Sequence, residues 1–144
     1  MKETSVEEFR RMAGTVGDAK RQPSDEPNSY RATLPYPPQS NHLYTVVRGR
    51  KVLSSKGRAY RKQIEAYRPV IGPFTGRIKL TIYAYMPDNR KRDLSNILKS
   101  LEDAMTSAGF WNDDSQIDDL RIVRTGVESP GRVEVYIQTI GAKK

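Results

Sequence analysis

Between Arg77 and Ala108 the apolar residues of this chain change period. Ile78, Leu80, Ile82, Ala84 and Met86 alternate with polar or tyrosine positions, the twofold repeat of a β-strand with one buried face. After the basic stretch MPDNRKR, residues Leu94, Ile97/Leu98, Leu101, Ala104/Met105 and Ala108 recur at helical spacing, and Gly109 stands where a helix stops. A strand that runs straight into an amphipathic helix calls for a layered α+β arrangement.

The flanking segments supply partners for both elements. Tyr30, Ala32 and Leu34 alternate as a strand before Pro35, Pro37 and Pro38 end it. RGRKVLSS has the cationic look of a hairpin arm, and residues 55–68 read as a helix with Ala59, Tyr60, Ile64 and Tyr67 on one side. FWNDDSQ reads as a turn. Two further strands follow around 120–127 and 132–140, with ESPGR as the hairpin turn between them. The expectation is one α+β domain over 29–144 with a mixed β-sheet and two main helices. Residues 1–28 read as an N-terminal extension and linker. Ser5 and Glu8 have capping-box spacing, Val6, Phe9 and Met12 form a short apolar stripe, and 14–28 is rich in Gly, Pro and polar residues. That tail either docks on a partner or frays in solution.

Charge is segregated along the chain. Residues 1–28 carry 5 Lys/Arg and 6 Asp/Glu, residues 29–92 carry 14 and 2, and residues 93–144 carry 6 and 9, giving −1, +12 and −3 within a net +8. A cationic middle running into an acidic segment suits a phosphate-binding surface beside a metal-holding pocket. The 144 residues include no cysteine, which excludes disulfide frameworks and thiolate zinc sites, and the single histidine, His42, argues against a His-rich metal centre. No run approaches the roughly 18 apolar residues of a membrane span. A soluble, cytoplasmic protein with no membrane partner is expected.

Seven carboxylates lie between Asp93 and Asp119, with Lys99 the only cation among them. Carboxylates this dense repel one another unless they are solvated or share a cation. Magnesium takes hard oxygen ligands and keeps water in its shell, so two or three converging carboxylates hold it beside a phosphate. Asp93 precedes the helix, where an isolated Asp ordinarily serves as a cap. Asp113 and Asp114 sit in the turn after it, where solvated acids are the rule. Ser95, Lys99 and Glu102 share the helix's polar face. Lys99 either stabilises charge on a transferring phosphate or is a solvated lysine paired with Glu102. Arg48, Arg50 and Lys51, with Arg90, Lys91 and Arg92, are phosphate-contact candidates set against generic solubilising charge. Tyr36, Tyr44, Phe110 and Trp111 are stacking candidates, with core packing the ordinary use for the last two. A helix spanning 94–108 is about 22 Å long at 1.5 Å per residue. Asp93 and Asp114 therefore meet only if the segment after Gly109 folds back along the helix or a second subunit brings its copy across.

The stretch MPDNRKRDLSNILKSLEDAMTSAGFWNDDSQI resembles the RusA family of Holliday-junction resolvases, endonucleases of bacteria and their phages or prophages. The family pattern is a basic stretch, D-x-D-N, a Lys four residues after the second Asp, D-A-L, a glycine-aromatic ending and D-D-x-Q. It is matched by Arg90–Arg92, Asp93, Asn96, Lys99, Asp103–Ala104–Met105, Gly109–Phe110–Trp111 and Asp113–Asp114–Ser115–Gln116. LPYPPQSN, which contains Asn41, and RGR resemble the family's start, so the similarity spans roughly residues 29 to 140. It implies a homodimer that binds four-way junction DNA and makes paired, symmetric phosphodiester cuts with Mg²⁺. By position it implies that Asp93 and Asp114 are metal-binding catalytic carboxylates, that Lys99 is the catalytic lysine and that Asp113 is an accessory acid. Asn41, Arg48, Arg50, Lys51, Arg90, Lys91 and Arg92 are then the DNA contacts. Ser95 stands where the pattern has its second Asp and removes one negative charge. Either Ser95 holds a metal-bound water, a neighbour such as Asp113 or Glu102 takes over, or cleavage is weak or lost. A junction-binding protein without cleavage and a basic nucleic-acid adaptor are the competing readings.

Overall fold

The computed structural model describes residues 29–39 and 42–140. The tail motif around Val6, Phe9 and Met12, the linker over 14–28 and Asn41 lie outside the described residues. The elements run β1 (Ser29–Pro35), β2 (Tyr44–Val47), β3 (Arg50–Leu53), α1 (Ser55–Glu65), β4 (Ile78–Met86), α2 (Leu94–Ala108), a 3₁₀ turn (Asp114–Gln116), β5 (Ile117–Val127) and β6 (Arg132–Thr139). The α+β class, the mixed sheet and the two helices are as the periodicity predicts.

The main sheet has the order β1-β6-β4-β5, and β2-β3 forms a separate two-stranded sheet. β5 and β6 do not pair with each other as the ESPGR turn suggests. β4 lies between them, parallel to β5 and antiparallel to β6. The reason is burial: β4 is covered along almost its whole length, so it takes the centre, and α2 is the crossover that brings β5 alongside in parallel. The turn after β5 passes the end of β4, where the Glu128 N–H donates to the Met86 carbonyl at 2.9 Å.

Both helices cover one face of the sheet. Tyr60 and Ile64 of α1 and Ile97, Leu101, Ala104, Met105 and Ala108 of α2 join Ile78, Leu80, Ile82, Val133, Val135 and Ile137 in one core. Leu101 and Met105 are wholly buried, and truncating either to Ala costs about 2–5 kcal/mol. α1 is shorter than its sequence pattern. It ends at Glu65, leaves Ala59 and Tyr67 exposed, and buries Gly57, Tyr60 and Ile64. On the opposite sheet face Tyr83, Tyr85 and Tyr136 form a second cluster, with the Arg132 guanidinium 3.7 Å from the Tyr85 ring centre. The tyrosines that alternate with the aliphatic residues of β4 are therefore buried too, because their rings pack on that face.

Ser100 sits inside the otherwise apolar seam of α2 and donates from Oγ to the Pro38 carbonyl at 2.9 Å. This bond ties the proline-rich segment after β1 against the first half of α2, and so places that segment beside the helix start.

Candidate active site along helix α2

Asp93 occupies the N-cap position of α2 in extended conformation, yet its carboxylate makes no capping hydrogen bond. The ordinary role of an Asp at this position is thus unfilled. The residue is exposed and faces a cavity of about 490 Å³ lined by Tyr36, Pro38, Lys91, Arg92 and Asn96, among others. The three cations of the preceding loop differ in their surroundings. Arg92 is only 13% exposed and is paired with Asp88, its second bond measuring 3.2 Å. It also stands 5.9 Å from the Tyr36 ring centre, and the Arg124 guanidinium donates to its carbonyl at 2.9 Å. Arg90 reaches the same carboxylate at 3.6 Å but is mostly exposed, and Lys91 is exposed. The Arg92 side chain and the Arg90 N–H hold the Asp88 carboxyl down at about 2. Arg92 thus shapes the loop, whereas Arg90 and Lys91 face solvent.

Lys99 lies one turn beyond Ser95 on the polar face and is 62% exposed. Its ammonium pairs with Asp103 at 3.5 Å, in place of the Glu102 pairing that the sequence spacing also allows. Asp103 also ties the helix to the β2–β3 hairpin, because Tyr44 donates to it at 3.3 Å. Burial, followed by the Asp103 charge, raises the Tyr44 pKa. A second cavity, of about 380 Å³, lies between the hairpin and α2, lined by Leu43, Tyr44, Val46, Lys51 and Lys99 among others. Arg48, Arg50 and Lys51 are all exposed on that hairpin.

Asp113 and Asp114 play different parts in the turn after α2. Gly109 adopts a left-handed conformation at φ 96° and ends the helix. Phe110 and Trp111 are buried, and the Trp111 indole N–H donates to Thr106 Oγ1 at 2.7 Å. Both are core residues, and Tyr36 is partly buried against the same core. Asp113 caps the 3₁₀ turn by accepting from the Ser115 N–H at 3.1 Å, which lowers its pKa. Asp114, the next residue, is exposed. The residue that fixes this turn is Gln116, which a reading for charge passes over. Its side-chain oxygen accepts from the N–H groups of Asn112 (2.8 Å) and Asp113 (2.9 Å), and its amide nitrogen donates to the carbonyls of Phe74 (2.9 Å) and Gly76 (2.8 Å). Only its place in the DDSQ run marks it in the sequence.

The turn returns toward the helix as far as Glu102. Burial, then the charge of Asp114, raises the Glu102 pKa. Glu102 and Asp114 thus lie within electrostatic reach beside the second half of α2, and Asp93 stands at its N-cap. Among the described residues no three or more His, Cys, Asp or Glu side chains gather closely enough to hold a metal ion. Ser95 is exposed between the two ends. The available donors are all hard oxygens, which suit a magnesium-like cation and exclude soft thiolate chemistry. No helix among the described residues is long and apolar enough to cross a membrane.

Comparison with known proteins gives a consistent result. Residues 35–138 match the family model described as endodeoxyribonuclease RusA. A protein of Enterobacteria phage 82 named crossover junction endodeoxyribonuclease is 41% identical over 119 residues, covering 79% of this chain and 98% of the relative. Relatives of the same name from Shigella sonnei and Escherichia coli are each 41% identical over 117 residues, with the same coverage.

Proposed function

The chain belongs to the RusA family of endodeoxyribonucleases, and from that premise we propose that it cleaves four-way DNA junctions by paired, symmetric phosphodiester hydrolysis. The observation that carries the reading is Asp93: a helix-start carboxylate that caps nothing and faces a cavity beside Lys91 and Asn96. Asp93 and Asp114 would hold a divalent cation, Mg²⁺, which when bound polarises the scissile phosphate and acidifies an attacking water. Lys99 sets its positive charge against the phosphate oxygens as negative charge builds there. Asp113 orients the turn that presents Asp114, and Gln116 locks it. Asn41, Arg48, Arg50 and Lys51, with Arg90 and Lys91, hold the DNA backbone. Arg92 acts through the loop it braces with Asp88.

The test is cleavage of a synthetic four-way junction with Mg²⁺ and with EDTA. Wild type nicks opposite strands only with the metal, and Asp93→Asn and Asp114→Asn bind without cutting. A wild type that shifts the junction in a gel and never nicks it overturns the reading. Independently of activity, Mg²⁺ raises the melting temperature of wild type more than that of Asp114→Asn, because a ligand stabilises the state that binds it.

Asp93 follows the Met86 end of β4, whereas Asp114 precedes Ile117, which pairs with Ile78 at the other end of β4, and this separation supports a site completed by a second copy of the chain, as in a twofold homodimer. Mixing Asp93→Asn with Asp114→Asn subunits regenerates one intact site if the two carboxylates come from different protomers. It gives none if they come from one. The alternative of binding without cleavage rests on Ser95, a neutral hydroxyl on the polar face between the two carboxylate positions. Ser95→Asp then increases metal affinity and rate, and a variant no better than wild type removes that alternative.

A further inference from the structure

The β2–β3 hairpin is anchored at its base and unsupported at its tip. Leu43 is buried, the Ser54 N–H donates to the Leu43 carbonyl at 2.8 Å, and Ser54 Oγ donates to the His42 carbonyl at 2.6 Å. Tyr44 is fastened to Asp103 on α2. Beyond these ties, Val46 is 69% exposed, Val47 50% and Val52 38%. Register places Val46 opposite Lys51 and Val47 opposite Arg50, so each apolar side chain has a cation beside it on the same face. One face carries Tyr44, Val46 and Lys51, with the Lys51 ammonium 4.8 Å from the Tyr44 ring centre. It looks into the cavity shared with Lys99. The other face carries Thr45, Val47, Arg50 and Val52.

The turn itself is unusual. Arg48 adopts φ 53° and Gly49 φ 76°, the left-handed pair that two-residue hairpin turns require and that Asn-Gly fills with least strain. An arginine there is strained, because in the left-handed region its Cβ crowds the following carbonyl oxygen. Three cations, Arg48, Arg50 and Lys51, thus flank two valines that point to opposite faces of the hairpin, and no Asp or Glu occurs anywhere from residue 29 to 64. Among the described residues no ion pair engages Arg48, Arg50 or Lys51. A second copy of this hairpin is a poor occupant, since like charges would be brought together. A strand of nucleic acid is a good one. Its phosphates match the cations, and its base faces match the valines wherever the bases are not stacked on neighbours. Continuous duplex hides those faces, whereas a branch point exposes them.

We propose that the β2–β3 hairpin tells branched from linear DNA: Val46 and Val47 pack against base faces exposed at the branch point while Arg48, Arg50 and Lys51 hold the flanking phosphates. This rests on the junction-cleaving reading above and assigns the structural discrimination to apolar contact and the affinity to charge. The two contributions separate experimentally, because phosphate contacts release counterions and set the salt dependence of binding, whereas apolar contacts do not.

The experiment uses the full chain in EDTA, which permits binding without cutting. The substrates are a four-way junction with 2-aminopurine at a branch-point position and a linear duplex of equal length. Wild type raises the 2-aminopurine fluorescence severalfold and prefers the junction. Val46→Ser/Val47→Ser, at exposed positions and checked for native circular dichroism, loses the fluorescence rise. Its junction-over-duplex preference falls about tenfold, the scale of one buried valine side chain, at an unchanged salt slope. Arg48→Gln/Arg50→Gln weakens binding to both DNAs and lowers the slope by about two. A valine variant that keeps wild-type fluorescence and preference overturns the inference while leaving junction cleavage standing. So does one whose defect is a change in oligomeric state. A wild type with no preference for the junction overturns the parent reading, and the hairpin assignment with it.

Discussion

The loops that enter and leave α2 each present a carboxylate of the proposed site, but they are held in opposite ways. The entry loop is braced by charge: Asp88 is gripped by Arg92 and touched by Arg90, with Arg124 donating to the Arg92 carbonyl. The exit loop is braced chiefly by neutral groups, through the four hydrogen bonds of Gln116 and the buried rings of Phe110 and Trp111, with the Asp113 cap and an exposed Arg77 that donates to the Ser115 carbonyl and pairs with Asp118 at its edge. The difference concerns tolerance. A neutral brace inside the fold keeps its strength across pH and salt, whereas an exposed ionic brace does not. Asp114 is thus the rigid half of the site, and Asp93 the half that solution conditions and the approach of DNA can adjust.

The largest effect should come from attacking the rigid side. Gln116→Leu leaves two N–H groups and two carbonyls without their partner, and a buried unsatisfied group costs about 1–3 kcal/mol. A loss of at least about 3 kcal/mol in urea unfolding is expected, with cleavage lost through displacement of Asp114. Retention of wild-type stability would show that the turn is held by the aromatic core alone. Next in size is Gly57→Ala on α1. A Cβ there would meet the Leu43 carbonyl oxygen at 2.4 Å and the Leu53 side chain at 2.9 Å, so the hairpin base must shift, at about 1–3 kcal/mol. Junction binding should weaken more than metal binding, as measured by mobility shift and by Mg²⁺-induced melting shifts. A smaller change follows from Arg92→Ala, which frees Asp88: the melting temperature falls by a few degrees at low ionic strength and by less at high salt.

The smallest effect is in pH. Because Asp88 titrates at about 2 in the fold against an ordinary 3.8, its stabilising contribution is complete above about pH 4 and is lost as pH falls through 2. The melting-temperature gap between wild type and Asp88→Asn should therefore be constant from pH 5 to 7 and close between pH 4 and 2. A gap that persists at pH 2 would break the claim that the entry loop is held by charge.

The same contrast explains what the sequence makes legible. β4 and α2 announce themselves because each buries residues at its own period, and Gly109 marks the stop. The separation of β5 from β6 leaves no local trace, since a short turn looks the same whether its strands pair or flank a third. Asp93 is visible as a helix-start acid, but nothing in the local sequence shows that its carboxylate makes no cap bond and faces a cavity instead. Gln116 is obscure for a related reason: its partners Phe74 and Gly76 lie about forty residues away in the chain. Charge-based brackets such as Asp88–Arg92, four residues apart, are local and easier to find.

The position of β6 bears on how the molecule is made. β1 is the first described strand to leave the ribosome, yet its sole neighbour in the sheet, β6, is the last. One edge of β4 waits on the same late arrival. A nascent polypeptide halted before Arg132 carries the residues proposed for catalysis on an incomplete scaffold with open strand edges, a state prone to aggregate. Competence to cut DNA is thereby deferred until translation has passed the final strand, so prematurely terminated products should be insoluble rather than stray nucleases.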